Sequence, residues 1–334
     1  MKQPILSVRN LKVYFPVEEG FLKKSTLTVK AVDDISFDVY EGESVGLVGE
    51  SGSGKTTVSR SILGLVDEAY HFKESKIFFE GKNILEMTRE ELKTVRRNVQ
   101  MIFQDPYSSL NPRMTVGKII EESLYINGIG DRKERTERAR EIMQMVGLNP
   151  DYYNRYPHEF SGGQRQRVGI ARSLILRPRI IISDEPVSAL DVSIQVQILK
   201  LMEELRKELK LTFLFVAHDL AIVDYFCQRI IVMYLGKIME TGTNDQIVKN
   251  SAHPYTRALL SAVPIPNPNA KKNQTILSGD IPSPINPPQG CVFHTRCPER
   301  FELCDKETPP EVKMDSGHTC FCWLYAKEKA NRAV

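Results

Sequence analysis

Short apolar runs alternate with amphipathic stretches along the chain. The spacing predicts strands over residues 5–15, 27–40 and 76–80, where Val, Ile, Phe and Thr are frequent. Glu43–Val48 reads as a short apolar strand that runs into a glycine-rich turn, and residues 55–66 have helical period. Gln100–Phe103, Arg179–Ser183, Leu211–Ala217 and Ile230–Tyr234 read as buried strands with helices before or after them. Buried strands alternating with helices predict an α/β fold whose mainly parallel sheet is covered on both faces. From about 88 to 175 the pattern is helical and charged, as in a helical subdomain inserted into a sheet domain. Its mixed-sign run Asp131–Glu141 reads as a solvated helix face supported by i,i+4 pairs. Seven of the 19 prolines fall between Pro264 and Pro288. That segment is expected to be an extended linker, because proline blocks helix.

Composition narrows the class without choosing a function. Hydrophobic residues make up 41% and charged residues 26% of 334, which is ordinary globular usage. A net charge of +3 is too near balance to argue for a nucleic-acid partner. The longest apolar runs are of the size of Ile230–Leu235, too short to span a bilayer. The first residues lack a secretory pattern, so the expected place is the cytosol, where thiols stay reduced. Six cysteines are present, and five of them lie between Cys291 and Cys322. In that compartment the cluster points to a metal or iron–sulfur site more than to disulfides.

Gly49-Glu50-Ser51-Gly52-Ser53-Gly54-Lys55-Thr56 fits G-x-x-x-x-G-K-[ST], between a strand and a helix, with Thr57 following. Glycines let backbone N–H groups approach phosphate oxygens, and the helix N-terminus adds its dipole. Lys55 would place charge on the β and γ phosphates, and the Thr56 hydroxyl would take Mg²⁺. Downstream, the apolar strand from Arg179 ends in Asp184 and Glu185. There Asp184 would hold Mg²⁺ through its water shell and Glu185 would polarise the attacking water. Strand C-terminal ends are where open α/β sheets bind ligands.

Phe160-Ser161-Gly162-Gly163-Gln164-Arg165-Gln166-Arg167 closely resembles the signature sequence of ABC-type ATPases, with Phe160 where leucine is more usual. Independently of that name, Ser161 can cap a helix over Gln164–Leu176, and Gly162-Gly163 allow close backbone approach. The resemblance covers roughly residues 5–263. It implies a P-loop NTPase (RecA-like) core with an antiparallel β subdomain, an inserted helical subdomain and a small cysteine-rich extension. The implied division is 1–87 with 176–245 as core, 88–175 as helical subdomain and 246–334 as extension. It also implies that Ser161, Gly162, Gly163 and Gln164 meet the γ-phosphate of ATP held by a partner subunit, in a head-to-tail dimer. Gln104 resembles the glutamine-loop residue that reaches Mg²⁺, Asp191 the loop that signals across the dimer, and His218 the switch histidine. Phe15, with Tyr14 close behind, is the implied adenine-stacking ring.

Phe103–Arg113 and His253–Leu260 resemble the ATP-binding subunits of oligopeptide and dipeptide importers, with nickel importers as close relatives. The implied partners are an identical or paralogous ATPase subunit, two transmembrane permeases and, indirectly, an extracytoplasmic peptide-binding protein. The implied place is the cytoplasmic face of the membrane, and no nucleic acid is implied. A soluble ABC ATPase of DNA or the ribosome usually carries inserts or tandem cassettes, which this chain lacks. In the peptide-importer group the tail can bind a [4Fe–4S] cluster. The spacing C-x5-C-x6-C-x15-C-x-C matches neither most zinc ribbons nor the tight ferredoxin run. Geometry alone does not choose between Cys320 and Cys322. The resemblance places the last ligand near the aromatic end, giving Cys291, Cys297, Cys304 and Cys322. Zinc, with His294 or His318, is the alternative. Cys227 reads as an inert buried thiol on a helix.

Overall fold

The computed structural model describes residues 3–17, 27–263, 277–314 and 317–326. Residues 264–276 of the expected linker lie outside the described residues. The strands are β1 (Leu6–Pro16), β2 (Thr28–Val39), β3 (Ser44–Val48), β4 (Lys76–Phe79), β5 (Lys82–Asn83), β6 (Val99–Ile102), β7 (Ile180–Asp184), β8 (Thr212–Ala217), β9 (Arg229–Tyr234), β10 (Lys237–Thr243), β11 (Val312–Lys313) and β12 (Thr319–Cys320). The helices are α1 (Lys55–Ile62), α2 (Arg89–Asn98), α3 (Val116–Ile126), α4 (Arg132–Met145), α5 (Gly162–Leu174), α6 (Val192–Leu209), α7 (Leu220–Phe226), α8 (Asn244–Lys249), α9 (Pro254–Ala262) and α10 (Glu302–Lys306). The chain divides into two compact units. One holds residues 1–39, 44–86 and 216–334, and the other holds 40–43 and 87–215. The segment 176–245, expected to belong with the core, is divided between them after Phe215.

In the first unit, β2, β1, β4 and β5 form an antiparallel sheet. Its other strands are β3 and β9, paired in parallel, with β10 antiparallel to β9 and the short β12 and β11 beyond β10. Every residue of β3 is buried, so its apolar run needs no polar alternation. Gly46 lets α7 lie directly on this strand, because a Cβ there would collide with Val223. β12 is in register with β10 at Glu240–Cys320 and Thr241–Thr319, which fastens the cysteine-rich tail to a core strand.

In the second unit, β6 and β7 pair in parallel, and α3, α4 and α5 pack on one another. Helix starts follow from capping boxes at Thr88 with Glu91, Asp131 with Glu134, and Ser161 with Gln164. The last of these moves α5 two residues earlier than its apolar period suggests, to Gly162–Leu174. α4 carries the expected charged face, burying only Ala139 and Met143. Cys227 is buried as expected but stands one residue beyond the end of α7, not within it.

Candidate active site

The phosphate-binding loop is a tightly held piece of the first unit. Gly49 sits against the Met233 carbonyl and Gly54 against the Ala31 carbonyl, and a Cβ at either would collide with that oxygen. Gly54 also has φ +99°, a left-handed conformation that glycine adopts without strain. The Gly236 N–H donates to the Ser53 carbonyl at 3.0 Å. Lys55 is buried, and its Nζ donates to the carbonyls of Gly49 (2.7 Å) and Glu50 (2.9 Å) and to Ser53 Oγ (3.2 Å). The ammonium therefore already lies across the loop. Ser51 and Gly52 are exposed, and Thr56 and Thr57 are half-buried in the first turn of α1.

His218, in the same unit, is exposed just after β8. Tyr14 and Phe15 are half-buried at the end of β1. The Tyr14 hydroxyl donates to Asp33 at 2.6 Å and its ring meets Phe72 edge-on, whereas Phe15 stands 5.1 Å from Tyr70. Burial, with the Asp33 hydrogen bond, drives the Tyr14 phenol above its ordinary range.

The acidic pair and the signature residues belong to the second unit. Asp184 is buried as the last residue of β7, and Glu185 follows with φ +47°. A left-handed glutamate at a strand end is costly and is found where surroundings impose it. Gln104 Nε2 donates to Glu185 Oε2 at 2.9 Å. Ser161 caps α5, accepting from the Gln164 N–H at 3.4 Å, while Gln164 Oε1 accepts from the Ser161 N–H at 3.0 Å. Gly162 lies against Leu190 and Gly163 against Ile194, so the signature packs on the segment carrying Asp191. Asp191 is exposed at the start of α6.

Three residues in these surroundings were not legible as site residues. Gln195 Nε2 donates to the carbonyls of Val187 and Leu190, both at 3.0 Å, bracing the loop between Glu185 and Asp191. Its place one turn into a helix after a loop was the available signal. Arg296 and Tyr255 both reach Glu50 of the phosphate-binding loop, and no sequence spacing points to either contact.

The four expected cysteine ligands converge. Cys291, Cys297, Cys304 and Cys322 line one cavity of about 10 Å³, with His294, Phe293 and Trp323. Cys320 is not among its lining residues. It is buried in β12, and its thiol donates to Cys322, which lowers the Cys322 pKa and raises its own. Burial pushes Cys291 up to about 12 and Cys297 up to about 11. Four thiol donors suit iron–sulfur or zinc chemistry. Their arrangement does not yet match: among the described residues, no group of three or more His, Cys, Asp or Glu stands in a metal-holding geometry. The expected metal centre is thus unsupported by the geometry, although its donors share a cavity. His318 is corrected as a zinc ligand. Its Nε2 lies 2.8 Å from Glu240 Oε1, and it does not line this cavity. His294 does line it, with Nδ1 2.8 Å from the Cys291 carbonyl.

Among the described residues, no helix is long and apolar enough to cross a membrane. A family model described as "ABC transporter" matches residues 32–188, and one described as "Oligopeptide/dipeptide transporter, C-terminal region" matches 239–304. The chain is 50% identical to the oligopeptide transport ATP-binding protein OppF of Escherichia coli, over 96% of each chain. It is 48% identical to AppF of Bacillus subtilis, an oligopeptide transport ATP-binding protein, over 97% of this chain and 98% of that one. Among solved structures, a dimeric ATP-binding cassette in a post-hydrolysis state with ADP and Pi aligns with TM-score 0.62 and 29% identity, covering 72% of this chain and 98% of that one. The cbiO1 protein of Clostridium perfringens, part of the cbiONQ transporter complex, aligns with TM-score 0.63 and 26% identity over 75% and 92%.

Proposed function

This chain belongs to the ABC transporter family, as an ATP-binding subunit of the oligopeptide/dipeptide importers, and from that premise we propose how its residues share the work. It is an ATPase of the P-loop α/β fold, and it drives peptide import. The observation that carries the peptide assignment is the match of residues 239–304 to the C-terminal region of peptide transporters. Nickel import and a role on DNA or the ribosome have no comparable support.

The residue roles are our reading. Gly49–Thr57 cradle the triphosphate, with backbone amides and Lys55 meeting its charge. Phe15, with Tyr14 beside it, offers the ring for adenine. Thr56, Gln104 and Asp184 each carry an oxygen of the kind a hard cation takes, and would be the ligands for Mg²⁺. When bound, that ion neutralises charge on the β and γ phosphates. Glu185 orients water for attack on the γ-phosphorus, and His218 stabilises the charge that develops on the phosphoryl oxygens. The hydrogen bond from Gln104 to Glu185 supports a link between the glutamine segment and the acid. Ser161, Gly162, Gly163 and Gln164 contact the γ-phosphate of ATP on a second ATPase subunit, identical or paralogous, and Asp191 carries the signal across that dimer. The functional division remains 1–87 with 176–245, 88–175 and 246–334.

The subunit works as a dimer with transmembrane permeases, docked peripherally on the membrane. We place it on the cytoplasmic face, with two permeases and an extracytoplasmic peptide-binding protein acting at one remove. On donor chemistry alone, a [4Fe–4S] cluster held by Cys291, Cys297, Cys304 and Cys322 would staple the short tail, and the cavity of about 10 Å³ they now enclose would have to widen to admit it. Such a group would supply folding energy to the tail, and hydrolysis needs none of its electrons. Anaerobic purification with iron and sulfide analysis tests it, and a colourless protein with stoichiometric zinc would exclude it.

The import reading is tested by reconstituting the chain with its permeases in vesicles. Peptide uptake that requires ATP, and stops with Lys55→Ala, is expected. ATP turnover without uptake of any peptide would overturn it.

A further inference from the structure

The second residue of the phosphate-binding loop is held from the far end of the chain. Arg296 donates to both carboxyl oxygens of Glu50, from Nη1 at 2.6 Å and from Nη2 at 3.2 Å, and Nη1 also reaches the Tyr234 hydroxyl at 3.4 Å. The Arg296 side chain is 9% exposed and Glu50 25%. The Glu50 backbone N–H donates to the Tyr255 hydroxyl at 2.9 Å. Tyr234, Tyr255 and Phe293 wall off this contact, with ring centroids 4.8 to 5.3 Å apart. All of these groups lie in one compact unit.

Two physical consequences meet here. A two-pronged guanidinium fork in a half-dry setting fixes the carboxylate it holds, and with it the backbone of the loop. A loop ordered in advance gives up less freedom when a ligand binds. The second consequence is charge. Glu50 places a carboxylate within the very loop that must receive a polyanion, and only a cation held against it can offset that repulsion. Arg296 is that cation. Its Nε has no partner among the described residues, so its charge is answered chiefly by Glu50.

We infer that Arg296 is a positioning residue for the phosphate-binding loop, acting through Glu50, so that the C-terminal extension sets the affinity for nucleotide triphosphate. This rests on reading Gly49–Thr57 as the ATP cradle. Arg296 touches no phosphate itself. Its effect should therefore fall on MgATP, whose phosphates meet the loop, and the part that comes from charge should be relieved when the Glu50 carboxylate is removed, which a purely structural brace would not produce.

The test is calorimetric titration of the full chain with MgATP and with adenosine. Arg296→Gln is expected to weaken MgATP by about 3- to 30-fold and to leave adenosine nearly unchanged. Arg296→Lys, which keeps the charge but loses the fork, should fall between. Adding Glu50→Gln to Arg296→Gln should restore part of the lost affinity, because the unanswered carboxylate is then gone. Arg300→Gln, which breaks only the exposed pair with Asp305 on the same tail, should change neither ligand. Equal losses for ATP and adenosine, or strictly additive losses in the double variant, would overturn the inference. If Arg296→Gln does not fold, the Lys variant and its double with Glu50→Gln decide the same question. A wild-type chain that binds no MgATP would instead sink the cradle assignment.

Discussion

Glu240→Ala should loosen the C-terminal extension by about 3–5 kcal/mol. Glu240 is fully buried on β10, and its two oxygens take three donors. Oε1 accepts from the Ala252 N–H at 2.7 Å and lies 2.8 Å from His318 Nε2, and Oε2 accepts from the His253 N–H at 3.0 Å. One carboxyl group thereby ties a core strand to the entry of α9 and to the tail. Alanine strands all three donors, and each buried unpaired group costs about 1–3 kcal/mol. Water entering the space would return part of that, which sets the lower half of the range. Glu240→Gln keeps one acceptor oxygen and sets its NH2 group against one backbone donor, Ala252 or His253, because those two bind different oxygens. It strands one donor in place of three and should cost about 1–3 kcal/mol. Urea unfolding measures the totals, and hydrogen exchange at Ala252 and His253 localises them. An alanine variant within 1 kcal/mol of wild type, or a glutamine variant as damaged as alanine, would refute the reasoning.

Glu185→Gln should cut ATP turnover by roughly 100-fold or more while ATP still binds, since a positioned base supplies about that much. The carboxamide oxygen can still accept from Gln104, so the thermal midpoint should barely move. Gly54→Ala must leave φ +99° or push against the Ala31 carbonyl, and should cost about 1–3 kcal/mol and most of the MgATP affinity, read by titration. Burial holds His253 down to about 4 against an ordinary 6.5. The folded chain thus refuses a proton that the unfolded chain accepts. Its contribution is complete above pH 6.5, drains as pH falls to 4, and reaches about 3 kcal/mol in all. His253→Asn should flatten that slope in unfolding curves.

What the sequence made legible was local. The cradle, the acidic strand end and the signature cap depend on residues a few positions apart, and each stands on the element its spacing implied. The capping box also explains the one shift, since Ser161 and Gln164 start α5 before its apolar period begins. The choice between Cys320 and Cys322 was invisible because both share parity in an extended strand. What the structure adds is which of them lines the shared cavity: Cys320 lies inside β12, and Cys322, two residues on, lines the cavity of the other three thiols. The Glu50–Arg296 contact spans 246 positions, and a pairing at that range leaves no periodic trace.

That separation has a bearing on how the protein is made. At about 5–20 residues per second, a ribosome needs roughly ten to fifty seconds to travel from Glu50 to Arg296. For that interval the nascent chain carries a complete glycine-rich sequence whose carboxylate has no guanidinium to answer it. The nucleotide-binding loop thus reaches its finished form only once synthesis has passed Arg296, long after the loop itself was made.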